Sequence, residues 1–582
     1  MLFQSPCYRL YSRGYRRINL SLVLVCLSSL FGCPKGGAPA APPGAPSIIA
    51  TPASTTPPAV TNGIRFVDIA KSSGIDYEWK IAGKRPLTIL QTIGNGCAFL
   101  DYDNDGNLDI LLVGSKLALY KGDGKGRFTD VTKAMGLDKL SGQFLGCSVG
   151  DYDNDGYDDL YISGYRTGVL LHNEGGKGFR DVTKAAGIPS QQWGTSSSFV
   201  DIDGDGKLDL YIANYVEFGP EMMQYCDFSG VLSACGPSHY KALPGTLYHN
   251  EGAGKFRDAT NDWHLGVVHG KGLGVAAADY NESGRQSIAI ANDAVEGDLL
   301  QNVGSKFDEV GTAAGTSRDS SANVLGGMGI DWGDYDNDGR LDIALATFER
   351  QPKCLFHNDG SGLFTENSNA LGVKEPALPY IAFGIKFADF DNDGFLDLIL
   401  ANGHVQDNIA AIEKNITYRQ PIQLFRNLGG HSFGEIGKSS GAAIGQGIVG
   451  RGLAVGDFDN DGRMDVLVVD SEGHPLLLHN QSAPPANTPP AHWLGIKLVG
   501  TKSNRDGYGA LLRLTTETGT LLRHCHSDGS YLSASDARVH FGLGQGRAKS
   551  LSVRWTSGKT DTYSNLPTDR YITIKEGDHQ LK

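Results

Sequence analysis

"DYDNDGNLD", Asp101 to Asp109, puts four carboxylates into nine residues with a glycine at the sixth. Asp101, Asp103 and Asp105 alternate, Gly106 permits a sharp turn, and Asp109 closes the loop. Charges crowded in this way repel one another unless a cation sits among them. An all-oxygen donor set at this spacing matches the first half of an EF-hand loop. It suits calcium, a hard ion that tolerates irregular geometry. Magnesium keeps several waters and needs fewer carboxylates. The flanking "GCAFL" and "LDILLVG" read as short buried strands, not helices, so the loop belongs to a β-hairpin.

The loop recurs in one frame. Candidate metal ligands are Asp101, Asp103, Asp105 and Asp109 in the first copy and Asp151, Asp153, Asp155 and Asp159 in the second. They are Asp201, Asp203, Asp205 and Asp209 in the third, and Asp334, Asp336, Asp338 and Asp342 in the fifth. Asp389, Asp391, Asp393 and Asp397 form the sixth set, and Asp457, Asp459, Asp461 and Asp465 the seventh. The fourth copy, "DYNESGRQS" from Asp279, replaces ligands with Asn281, Ser283 and Ser287, so about six Ca2+ ions are expected.

Each loop is followed by a second strand ("LDLYIANY"), a third ending in Asn ("LLHNEG", "LYHNEG", "LFRNLG") and a fourth ("GFRDVT" at Gly178). A four-stranded unit at this period is a β-propeller blade, which must stack on neighbours to bury both faces. The last unit stops at "PLLLHNQS", while an orphan fourth strand, "RFVDIAKSSGI", begins at Arg65. That strand should complete the seventh blade and protect the open edges. The expected fold is all-β: a seven-bladed propeller over residues 63–482, with a small β-sandwich over residues 491–582 after the linker "SAPPANTPP".

The chain of 582 residues is too long for one ordinary core. Its net charge of −13 is largely a property of the loops, whose candidate ligands are 24 of the 65 acidic residues. No basic patch with interleaved aromatics points to nucleic acid. Residues 1–32 combine a basic stretch (Arg9, Arg13, Arg16, Arg17) with the apolar "INLSLVLVCLSSLFG" and read as a signal peptide. "LFGC" reads as a lipobox with Cys33 lipidated; ordinary secretion, a retained anchor or twin-arginine export ("RRINL") are the alternatives. Residues 33–62 form a Pro/Ala/Thr-rich tether. The protein is therefore expected outside the cytoplasm, in the cell envelope or at the surface of a bacterium. Its only membrane contact would be this lipid anchor.

Cys97, Cys147, Cys354 and Cys525 read as buried small apolar residues. Cys226 and Cys235, within the third-blade insertion "MMQYCDFSGVLSACGPSHY", are expected to form a disulfide, with a soft-metal site as the alternative.

"HWLGIKLVGTKSNRDGYGALLRL", "SYLSAS", "VHFGLG" and "VRWTSGK" together resemble the ASPIC/UnbV domain that follows FG-GAP/VCBS-type repeats in the cartilage acidic protein family. "ANGHV" at Ala401, "YRQP" at Tyr418 and "CGPSHY" at Cys235 also resemble that family. The resemblance implies an extracytoplasmic calcium-binding propeller of the integrin α-chain type, with the Asp loops joining strands one and two of each blade.

His404 reads as a structural histidine, with a ligand or base as the alternative. The recurring His172, His249, His357 and His479 read as packing residues, and the Asn that follows each as a turn residue. Asn504-Arg505-Asp506-Gly507 reads as an exposed polar turn that could bind a partner. P-loop and HExxH motifs are absent from the sequence. The expected function is a tethered, non-catalytic scaffold binding a protein or glycan. Its ligand face would lie at the Cys226–Cys235 insertion and "HVQDNIAAIEKNITYRQP". The alternatives are a polysaccharide-active or oxidative enzyme using the central face, and a purely structural envelope protein.

Overall fold

The computed structural model describes residues 63–581, apart from 190–191 and 485–486. The expected signal peptide and tether, with Cys33, lie outside the described residues. Seven four-stranded antiparallel sheets follow one another. Blade 1 runs Cys97–Leu100, Asp109–Leu112, Ala118–Gly122 and Phe128–Asp130, from inside to outside. Blades 2 to 6 begin with inner strands Phe144–Gly150, Gly194–Val200, Gly272–Ala278, Gly327–Gly333 and Ala382–Ala388. Blade 7 comprises Gly450–Gly456, Asp465–Asp470 and Leu476–Asn480, and takes its outer strand, Phe66–Asp68, from the start of the described chain. Phe66 pairs with Asn480 and Asp68 with Leu478, so the orphan strand closes the ring as expected. Inner strands pack each on the next, and Gly450–Gly456 packs on Cys97–Leu100. Between blades 7 and 1 the core joins Phe99, Ile110 and Leu112 to Phe458, Leu467 and Leu477.

The C-terminal region has the expected two sheets. His492–Val499 lies between Val539–Gly544 (antiparallel) and Tyr571–Lys575 (parallel). Thr520–His524, Leu511–Thr515, Ser550–Arg554 and Thr560–Ser564 form the other sheet. Leu494, Ile496, Leu512, Leu514, Phe541 and Ile574 fill the space between them.

This region is more than an appended module. The connection from His524 to Val539 threads the propeller axis and touches the inner strand of every blade. In blade 1, Ala534 exchanges backbone hydrogen bonds with Cys97 and Phe99. In blade 2, the Cys147 amide donates to Leu532 O at 3.1 Å. In blade 3, Ser196 Oγ accepts from the Leu532 amide at 2.9 Å. In blade 4, the Ala277 amide donates to Asp528 at 2.9 Å. In blade 5, the Ile330 amide donates to Ser530 O at 3.1 Å. In blade 6, Lys386 Nζ donates to Asp528 O at 2.9 Å and to Asp331 at 2.7 Å. In blade 7, the Asp536 amide donates to Val455 O at 3.0 Å. Small residues make this approach possible: a Cβ on Gly96 would stand 1.7 Å from Leu532 O. Tyr531 and Leu532 are fully buried, and Tyr531 Oη donates to Ile93 O at 3.0 Å.

The plug therefore couples cap and propeller into one folding unit. Tyr531→Ala is expected to cost about 3–5 kcal/mol. Chemical denaturation of the wild-type chain followed by both fluorescence and circular dichroism should show a single coincident transition. Separate cap and propeller transitions contradict this coupling.

Candidate functional site

The Asp loops all open at one end of the ring, because each joins strand one to strand two. Within a loop the carboxylates have distinct tasks. Asp101 accepts from the Asp105 and Gly106 amides at 3.0 and 3.1 Å, and Asp105 from the Asn107 amide at 2.9 Å. Asp109 is fully buried and accepts from the Tyr102 and Gly122 amides at 3.1 and 2.9 Å, clamping strand two to strand three. Its counterparts Asp159, Asp209, Asp342, Asp397 and Asp465 do the same. This latch was not legible in the sequence, where the ninth Asp read only as a ligand.

The loops also join blade to blade. Asn173, at the end of strand three in blade 2, donates to Tyr102 O in blade 1 at 2.8 Å. Asn250, Asn302, Asn358, Asn427 and Asn480 repeat that bond to the preceding blade, so these residues are staples between blades as well as turn formers. A second set of bonds runs from the asparagine at the fourth loop position to the glycine carbonyl of the next loop. Asn104 donates to Gly156 O at 2.6 Å, Asn154 to Gly206 O at 3.0 Å and Asn392 to Gly462 O at 2.9 Å. Asn460 joins blade 7 to blade 1 in the same way, through Gly106 O at 3.2 Å. These asparagines hold φ near +60°, a left-handed conformation that Asn tolerates better than most residues.

The donor chemistry fits calcium. Asp103, Asp391 and Asp459 each keep a buried Oδ1 with no hydrogen-bond partner, an acceptor left for a cation. Burial, with repulsion from neighbouring carboxylates, pushes Asp109 up to about 8. Burial likewise raises Asp159, Asp209, Asp334 and Asp457 to about 7. The recurring histidines face these loops rather than merely packing. His172 Nδ1 lies 3.3 Å from Asp153 and Asp159, His249 Nε2 3.0 Å from Asp203, His357 Nε2 3.2 Å from Asp336, and His479 Nε2 3.1 Å from Asp459. Lys121 and Arg426 take that place in blades 1 and 6. In blade 4, whose loop has lost its ligands, the corresponding residue is neutral Gln301. There Arg554 of the cap donates to Glu282 O at 2.9 Å and lies 3.4 Å from Asp279.

The cap sits on the loops. Lys497 is 3.6 Å from Asp101, Tyr571 Oη donates to Asp457 at 2.8 Å, and Arg523 donates to Gly394 O at 3.0 Å. The Asn504–Gly507 turn is not the exposed cluster expected. Asn504 is fully buried, the Arg505 amide donates to Asn154, and Asp506 accepts from the Asp151 amide at 2.8 Å.

At the opposite end, the insertions between strands two and three of blades 3 and 6 meet. Ser233 Oγ donates to Asn408 at 2.8 Å, and Asn408 Nδ2 donates to Leu232 O at 2.7 Å. Cys226 and Cys235 are disulfide-bonded, and Cys97, Cys147, Cys354 and Cys525 are free and buried. His404 is fully buried, 3.1 Å from Glu349, and its carbonyl accepts from Arg451. Arg451, also buried, donates to Thr92, Gly403 and Gly450 carbonyls with its guanidinium 3.9 Å from the Phe383 ring centroid. It ties these bottom segments to the inner strands.

Residues 500–581 match the ASPIC and UnbV family. Residues 101–162, 151–212, 334–400 and 406–468 match FG-GAP-like repeats. Cartilage acidic protein 1 of Xenopus tropicalis is 28% identical over 424 residues, covering 62% of this chain and 61% of the relative. The Mus musculus protein of that name is 26% identical over 427 residues, covering 62% and 60%. The chain thus spans about three-fifths of the length of these curated relatives. Among solved structures, YCF48 from Cyanidioschyzon merolae aligns at TM-score 0.38 and 10% identity, covering 69% of this chain and 99% of that one. An Agrocybe aegerita lectin, described as recognising non-reducing terminal N-acetylglucosamine, aligns at TM-score 0.37 and 16% identity, covering 58% and 79%.

A pH dependence follows from the loop carboxylates. The folded values of Asp109, Asp159, Asp209, Asp334 and Asp457 lie above the ordinary value near 4, so without a cation the folded state binds more protons than the unfolded state. That contribution is complete below about pH 4 and is lost as pH rises through 6–8. The melting temperature of the chelated protein should therefore fall between pH 5 and 8, and the gap to the calcium-loaded protein should widen. Parallel pH profiles with and without calcium contradict this assignment.

Proposed function

Because the chain belongs to the proteins that join FG-GAP-like repeats to an ASPIC and UnbV domain, we propose that it is an extracytoplasmic adhesion scaffold binding a protein or glycan. The six intact loops would hold Ca2+ through Asp residues one, three, five and nine. Calcium supplies positive charge that locks hairpin turns; the reading assigns it no chemical step. Cys33 would carry the lipid, and residues 34–62 would hold the propeller away from the membrane.

One observation carries the choice of binding face. The loop end is covered by the cap, and the axis is filled by Tyr531 and Leu532, whereas the two long insertions join each other at the other end. Met223, Tyr225 and Leu232 are exposed there. Exposed apolar side chains on a braced loop suit recognition better than catalysis. The filled axis also leaves less room for the enzyme alternative, which needs the central face.

The test is binding of the full-length chain to glycan and extracellular-protein arrays, in calcium and in chelator. Calcium-dependent binding that drops at least tenfold in Leu232→Asp or Tyr225→Ala supports the reading. Binding unaffected by these changes, or lost only through cap variants, contradicts the choice of face.

A further inference from the structure

We propose that the third-blade insertion is a redox-gated copper(I) site, formed by Cys226, Cys235, His239 and Met223 once the disulfide is reduced. The site shares its insertion with the proposed ligand face but rests on its own donor atoms, so failure of that reading or of the calcium reading leaves it untouched.

Four soft or borderline donors converge on one point. His239 Nε2 lies 3.4 Å from Cys226 Sγ, and Met223 Sδ lies 3.8 Å from the same sulfur. One donor atom each from Cys226, Cys235 and His239 falls within a 4.8 Å span. The histidine is already oriented as a ligand. Its Nδ1 lies 3.3 Å from Gly236 O and 3.5 Å from Ser238 Oγ; in the tautomer that donates from Nδ1 to that carbonyl, the Nε2 lone pair faces the sulfurs. A carbonyl on the far nitrogen is the usual support of a metal-bound imidazole. Packing alone does not require that tautomer. Two thiolates, an imidazole and a thioether make a soft set, which favours copper(I) over zinc and excludes calcium.

The site is also reachable. Cys226 is half-buried and His239 and Met223 are exposed, unlike the four free cysteines, which are all buried. The hairpin strands Tyr225–Phe228 and Val231–Ala234 pair Cys226 with Ser233, keeping the cysteines adjacent after the S–S bond is broken. Reduction takes two electrons and two protons from a dithiol of the thiol–disulfide exchange class. Its thiolate attacks Cys226 Sγ and releases Cys235 as a thiolate. Its second thiol then resolves the mixed disulfide, and the donor leaves oxidised. Copper(I) displaces the two thiol protons, so no further oxidant or reductant is needed. In the oxidised protein the disulfide sulfurs are neutral, weak donors, which leaves His239 and Met223, too few to hold the ion.

The experiment titrates the full-length chain, reduced and kept anaerobic, with copper(I) against a chromophoric copper(I) chelator. X-ray absorption at the copper edge then reads the donors. The expected result is one copper(I) per reduced chain, none in the oxidised chain, and sulfur-dominated coordination. The Cys226→Ser/Cys235→Ser double variant should lose this binding, and His239→Ala and Met223→Leu should each weaken it at least tenfold. His239 and Met223 are exposed, so these two variants should keep the wild-type melting temperature. Copper retained by the double variant, equal binding to the oxidised chain, or affinities unchanged in both exposed variants would overturn the proposal. Zinc held more tightly than copper, with no effect of Met223→Leu, would overturn the choice of metal.

Discussion

Everything in this molecule depends on bringing buried carboxylates together at the rim of a ring. Each intact loop packs four Asp side chains into a turn, and the ninth, exemplified by Asp109 and Asp465, is withdrawn from solvent altogether. Burial alone drives these groups toward neutrality, and their mutual repulsion adds to it. The same groups anchor the turn amides, the clamp between strands two and three, and the loops from which asparagines reach neighbouring blades. A counter-charge in the loop thus acts at once on the hairpin, the blade and the ring. Blade 4 is the internal control: with Asn281, Ser283 and Ser287 it has little charge to balance, its neighbour is Gln301, and Arg554 supplies a fixed cation from the cap.

The propeller was legible because its signals are local and repeated. Alternating apolar strands, a turn motif in register and an unmatched outer strand at Arg65 specify blades and closure together, and the pairing of Phe66–Asp68 with Leu478–Asn480 is their consequence. Less legible were long-range roles of residues whose local reading was already satisfied. Asn173 looks like a turn residue and is one, through Gly176, yet its amide also crosses to Tyr102. Asp506 looks like a surface turn, but its partner is 355 positions away at Asp151. The plug was hidden for a related reason. "HSDGSYLSAS" has no periodicity of its own, because it pairs with a different blade at almost every residue. The one hint was its small side chains, which a channel lined by Gly96, Gly146 and Gly329 requires.

The plug also reshapes how function can be assigned. A propeller axis is an obvious place for a substrate, and here the chain occupies it with its own backbone. The loop end is likewise committed to the cap. What remains free is the far end, where two insertions brace one another over a floor organised by Arg451 and where the disulfide hairpin stands exposed. That division, one end committed to holding the molecule together and one left exposed, fits the scaffold proposed above.

The most direct measurement of the central claim is amide hydrogen exchange of the full-length chain, compared between calcium and chelator with magnesium as control. If cations in the loops tie the blades together, calcium should slow exchange at the six intact loops and at the amides that Asp109, Asp159, Asp209, Asp342, Asp397 and Asp465 clamp. The segment Asp279–Ser287 should change least. Equal exchange with and without calcium, or protection as large at Asp279–Ser287 as at the intact loops, would contradict the account.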